Sequence, residues 1–169
     1  MLADALLGNY KTVARELGMT IDGGVGQDHL RIHGELDGRT VEMWFGTHAT
    51  LTRSRFRHLA PIELRLAARG WLSRLFGSSA NLGDLVFDKR FALKTGDREQ
   101  VATLLSDEAR RALVDVAKLG LHPVVERDRV ELKMFSNGGG DAPKKILRLL
   151  RETARVGNAI DAAFARTAP

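Results

Sequence analysis

A chain of 169 residues, 44% apolar and 28% charged, has the make-up of one globular domain, able to bury roughly 70% of its unfolded surface. It contains no cysteine, which excludes a disulfide framework, a thiolate nucleophile and a cysteine-based zinc site. No apolar run approaches the roughly 20 residues that span a bilayer, and a formal charge of +5, carried mostly by arginine, fits an acidic partner as well as a GC-rich coding bias.

Leu2, Leu6, Val13 and Leu17 recur at near-helical spacing with Tyr10 beside them, and Gly18 stands where a helix ends, so residues 2–17 read as an amphipathic helix. Asp4, Lys11, Arg15 and Glu16 fall inside that pattern, which is not how a secretory signal is built. The expectation is a soluble cytoplasmic protein, peripheral to a membrane at most. Asp22, Gly23, Gly24 and Gly26 read as a loop.

Asp37-Gly38 then separates two alternating runs, the strongest short-range hairpin signal. A two-residue turn sets Leu36 against Arg39, Gly34 against Val41, Ile32 against Met43 and Leu30 against Phe45 on one face. The other face receives Glu35/Thr40, His33/Glu42 and Arg31/Trp44. Trp44 therefore lies off the core face, either covered by Arg31 or packed beneath a neighbouring element.

Residues 48–59 continue the sheet, with Arg53, Arg55 and Arg57 on one strand face and Thr52, Ser54, Phe56 and His58 on the other. Past Pro61, the alternation of Ile62, Leu64 and Leu66 predicts another strand. Trp71, Leu72, Leu75 and Phe76 predict a short amphipathic helix closed by Gly77. Leu85, Phe87, Phe91 and Leu93 read as one face of a strand, with a bulge near Asp88–Arg90 to accommodate Lys89. Asp97 and Ser106 cap two successive helices, the second with Ala109, Ala112, Leu113, Val116 and Ala117 as its buried stripe. Arg127-Asp128 turns a second hairpin that aligns Val125/Val130, Pro123/Leu132 and Leu121/Met134. Asp141 caps a final helix with the stripe Ile146, Leu149, Leu150, Thr153, Gly157, Ile160 and Phe164, about 25 residues and so roughly 37 Å long.

The sum is a single α+β domain over residues 1–169, in which a largely antiparallel sheet of about six or seven strands is packed by helices, the long C-terminal one included.

Gly83 to Phe91 resembles a G-D-x-x-F-D-x-x-F segment of uncharacterised bacterial proteins, many of them membrane-associated. Gly83, Asp84, Phe87, Asp88 and Phe91 carry the match, with a looser likeness through the following hairpin and terminal helix. The resemblance implies no activity and no cofactor. Its residues read as structural: Asp84 forming a turn, Asp88 pairing with Lys89, Arg90 or another arginine.

Arg53, Arg55 and Arg57 are the sharpest candidates for a site. Three guanidiniums on one strand face repel unless carboxylates, phosphates or solvent meet them. Arg65 and Arg69 extend the basic region, and Trp71 and Phe76 offer an apolar contact beside it. An acidic protein partner, an anionic lipid surface or nucleic acid would satisfy these charges, as would neighbours such as Glu35 and Glu42 across a solvated outer face. The glycine-rich stretch before Lys144 and Lys145 lacks the phosphate-loop order. His29 and His33 are four apart, but the pattern between them is that of a strand, where their rings stand too far apart to share a metal, and no serine sits in a nucleophile elbow. The expectation is a non-enzymatic binding or interaction domain without cofactor or metal, a sequence-tolerant nucleic-acid binder second and an enzyme third. The long amphipathic helix would also suit a homodimer.

Overall fold

The Asp37-Gly38 turn sets the first half of the sheet. Both residues have positive φ, 52° and 72°, the combination whose twist matches the strands it joins. Around it β2 (Arg31–Leu36) pairs antiparallel with β3 (Arg39–Phe45) in the expected register, Ile32 against Met43, Gly34 against Val41 and Leu36 against Arg39. The computed structural model describes residues 2–23, 30–45, 49–69, 79–135 and 143–167. The Trp71–Phe76 helix, the Asp141 cap, and His29 and His48 fall outside them.

The remaining elements are α1 (Leu2–Leu17), β1 (Thr20–Asp22), β4 (Ala49–Arg55), β5 (Leu64–Ala68), α2 (Leu85–Arg90), β6 (Phe91–Thr95), α3 (Arg98–Leu104), α4 (Asp107–Lys118), β7 (His122–Glu126), β8 (Arg129–Phe135) and α5 (Pro143–Thr167). The eight strands among the described residues form one sheet in the order β1-β2-β3-β4-β8-β7-β5-β6, every pairing antiparallel. The described residues hold one strand more than the six or seven expected, because Thr20–Asp22, whose last residue was read as the start of a loop, pairs with Arg31–His33. The second hairpin keeps its register at Val125/Val130 and Pro123/Leu132, while Leu121 lies just before β7.

Inner-face residues Ile32, Val41, Met43, Leu66, Leu93, Val125, Val130 and Leu132 are all buried. α5 packs on β2, β3, β4 and β8, with α1 toward the β1 edge, α4 over β7 and α2 against β6. Ile146, Leu149, Leu150, Ile160 and Phe164 of its stripe are buried, as the 3.6-residue period requires.

Two segments depart from the alternation rule. The run expected as one strand through Leu85, Phe87, Phe91 and Leu93 is a helix followed by a strand: α2 carries Leu85 and Phe87, β6 carries Phe91 and Leu93. Asp84 starts that helix by accepting from the N–H groups of Val86 and Phe87, and local capping of this kind outweighs a weak period-two pattern. Phe87 and Phe91, four apart, meet in a tilted contact at 4.8 Å between ring centroids, while Leu85 is exposed. β4 ends at Arg55 rather than near residue 59, so Phe56, Arg57 and His58 are off the strand, as is Ile62 before β5.

Gly157 of α5 is buried against Arg39. A Cβ there would lie 2.7 Å from Nε and 3.0 Å from Cζ of that guanidinium, which is itself held in place and unable to swing away. Helix propensity alone would make Gly157→Ala stabilising by about 1 kcal/mol. The crowding argument reverses the sign: the substitution should destabilise by about 1–3 kcal/mol, read as a lower urea midpoint at unchanged slope.

Candidate functional site

Outward-pointing residues of β3, β4, β8, β7 and β5 build a connected charge network. Glu42, Arg53 and Glu131 are register neighbours on three adjacent strands. Arg53 Nε donates to Glu131 at 2.7 Å, and its guanidinium lies 4.7 Å from the Trp44 ring centroid. Arg31 approaches the same ring at 5.7 Å and pairs with Glu42. Trp44 is therefore half-buried by two guanidiniums: of the two covers expected, Arg31 or a neighbouring element, Arg31 is present and Arg53 joins it.

In the next row Arg55 stands opposite Arg129, Arg129 opposite Glu126, Glu126 opposite Arg65, and Arg65 opposite Lys94. Like charges directly across strands repel, and carboxylates are threaded between them. Arg129 pairs with Glu126, with Asp128 at 3.2 Å and with Glu131 at 3.2 Å. Burial works against charge on Arg129; the Glu126, Asp128 and Glu131 carboxylates overcome it and hold its pKa above the ordinary guanidinium value. Arg55 has one carboxylate contact, to Asp128 at 3.5 Å, with its side chain 66% exposed.

Arg57 does not share the strand face of Arg53 and Arg55. Its backbone N–H donates to both carboxylate oxygens of Asp161, at 3.0 and 3.1 Å, and its guanidinium donates to the Gly38 carbonyl. The three arginines nevertheless converge, lining one cavity of about 470 Å³ together with Glu35, Glu42 and Arg39.

Arg39 is the residue that pattern reading missed. Its side chain is 1% exposed and its guanidinium pairs with Asp161 of α5. Nε donates to Ser54 Oγ at 3.0 Å, and the terminal nitrogens also donate to Asn158 and to the Arg55 carbonyl. The signal was parity. Arg39 fell on the core face opposite Leu36, and Asp161 fell beside the apolar stripe of the last helix.

Arg65 borders a separate cavity of about 470 Å³ with Lys94 and Arg127, its Nε 3.4 Å from Glu126. Arg69 Nε donates to the carbonyls of Asp88 and Phe91 at 2.8 and 3.0 Å, which clamps the α2–β6 junction. Trp71 and Phe76 lie outside the described residues. Asp88 was expected to pair with a basic side chain. It instead accepts from the backbone N–H groups of Leu82 and Gly83, each at 2.9 Å. Asp84 caps α2 from one side and Asp88 closes the preceding turn from the other, with Phe87 and Phe91 buried between sheet and helices. His33 Nε2 lies 2.8 Å from Asp22, and His122 packs edge-on to Phe135. Among the described residues no group of three or more His, Asp or Glu side chains comes together to hold a metal ion. None of the described helices is long and apolar enough to cross a membrane.

No protein-family model matches the chain, and no curated protein sequence does. Among solved structures, the crystal structure of the mycobacterial trehalose monomycolate transport factor A, TtfA, is similar over 92% of this chain and 94% of its own, with a TM-score of 0.67 and 12% sequence identity. That likeness establishes a shared fold.

The role of Asp88 is open to a direct check. Asp88→Ala leaves two N–H groups without their carboxylate acceptor and should destabilise by about 1.5–3 kcal/mol. Asp88→Asn, which keeps one acceptor, should recover part of that loss in the same denaturation experiment.

Proposed function

We propose that the chain is a non-enzymatic binding domain that holds an acidic segment of a protein partner against the outer end of β4. The observation that supports it is the convergence of Arg53 and Arg55 of β4 and Arg57, just past its end, on one cavity. Arg53 is committed to Glu131 and Trp44, so the partner's carboxylates fall to Arg55 and Arg57. Arg55 in particular keeps two thirds of its side chain in solvent with a single long carboxylate contact.

The surrounding signs of charge favour a local, shaped partner over a polyanion. A nucleic-acid surface works by a continuous positive field, whereas here Glu42, Glu126, Asp128 and Glu131 alternate with the arginines and cancel it beyond roughly a Debye length of 10 Å. Charged groups placed this way give register and selectivity. The structurally similar protein is a transport factor, in keeping with contact rather than conversion.

The test reverses charge where the fold does not depend on it. Arg55→Glu with Arg57→Glu, Arg53 being retained, should weaken binding of a labelled oligoglutamate peptide by roughly tenfold or more, measured by fluorescence anisotropy at low and near-physiological salt. Unchanged affinity would remove this face from consideration. Tighter binding of random-sequence DNA or RNA than of the peptide, lost in the same variant, would replace the acidic segment by nucleic acid.

A further inference from the structure

Another cavity, independent of the arginine face, lies at the far end of β8 from Arg129. It is formed where the residues after α4, the end of β8 and the first turns of α5 meet, with a volume of about 250 Å³. Leu119, Leu121, Met134, Phe135 and Leu149 supply apolar surface, and Lys145 and Arg148 supply the charge. Two observations single it out. Among the described residues no carboxylate lines it, while each of the other three cavities described above and between α4 and α5 has acidic and basic groups together. It also leaves two large apolar side chains in water, Leu119 at 39% and Phe135 at 48% exposure.

We infer that this groove binds a single-chain fatty acid, its carboxylate on Lys145 and Arg148 and its chain over Leu119, Leu121, Met134 and Phe135. The two cations lie three residues apart on α5, hence on one helical face, so one carboxylate reaches both. The first turn of α5 contains no acidic residue, and a helix N-terminus adds partial positive charge at that end. An acidic peptide would satisfy the cations but would bring polar backbone onto the apolar surface, where its amide groups lose water without a partner. A flat bilayer would reach the rim only, because the surface is concave. A lone alkyl chain with an anionic head matches both halves: hydrocarbon where the side chains are apolar, charge where they are basic.

Isothermal titration calorimetry with dodecanoate below its micelle concentration tests this. One saturable site per chain is expected, with affinity rising about fourfold for each added methylene from octanoate upward until the groove is full. Lys145 and Arg148 are both exposed, so Lys145→Glu with Arg148→Glu should fold normally and bind dodecanoate at least tenfold more weakly. Leu119→Gln should weaken binding and flatten the chain-length dependence. Arg55→Glu with Arg57→Glu should bind dodecanoate as the unaltered protein does, which separates this site from the arginine face. Equal affinity for dodecanol or dodecyltrimethylammonium, no effect of the Lys145/Arg148 reversal, or binding seen only with anionic phospholipid vesicles would each overturn the inference.

Discussion

The ion pair between Arg39 and Asp161 is the constraint around which the architecture is arranged. Removing two such charges from water costs several kcal/mol each, and their attraction repays this only when every remaining donor and acceptor is met. Here the accounts of both side chains close. Arg39 reaches Ser54, Asn158, Asp161 and the Arg55 carbonyl; Asp161 receives Arg39 and the Arg57 N–H. An apolar stripe alone would hold α5 to the sheet at several registers one turn apart. Thr153, Gly157 and Asp161, spaced by four, make a polar ridge down the same helix. Thr153 shares a buried hydrogen bond with Thr52 of β4, Gly157 makes room for the guanidinium, and Asp161 binds it. Only one placement of the helix satisfies all three.

That inward anchoring also shapes the outer surface. The backbone carrying Arg55 and Arg57 is held from beneath, by Arg39 at one carbonyl and by Asp161 at one N–H. Their side chains therefore leave a backbone whose position the core determines, which is the condition for a contact surface that needs no ordering on binding. Arg53 plays a different part: covering Trp44 together with Arg31 and pairing with Glu131, it stiffens the strand face from which Arg55 projects.

Much of this was legible in the residues, and the exceptions have identifiable causes. The Asp37-Gly38 hairpin, the capped α3 and α4 and the full length of α5 follow from local rules: positive φ in a tight turn, side-chain acceptors at a helix start, and a 3.6-residue stripe. The Gly83–Phe91 segment misled because Phe87 and Phe91 fit both a period of two and a spacing of four, and the Asp84 and Asp88 carboxylates decided for the helix. Thr20–Asp22 is too short for any periodicity to announce; its partner Arg31–His33 makes it a strand. The site was half visible. Arg53, Arg55 and Arg57 could be picked out, but whether they share a face depended on where β4 stops, and that is set by Asp161 more than a hundred residues away. Arg39 was in view as a charge on an apolar face, and only the tertiary pairing explains it.

A fold shared at 12% identity with another chain is kept by pattern, packing volume and a few satisfied polar links. It follows that side chains consumed by those links say little about function. Arg39, Arg53, Arg69, Asp84 and Asp88 each have partners inside the fold, and their presence is explained without any ligand. Arg55 is only lightly held, and Lys145 and Arg148 stand exposed at the rim of an apolar hollow. The fold neither needs these charges nor gains by placing them beside uncovered hydrocarbon or a like charge across a strand. Residues of that kind, at opposite ends of the same sheet, are where a physical account of the structure leaves room for a partner.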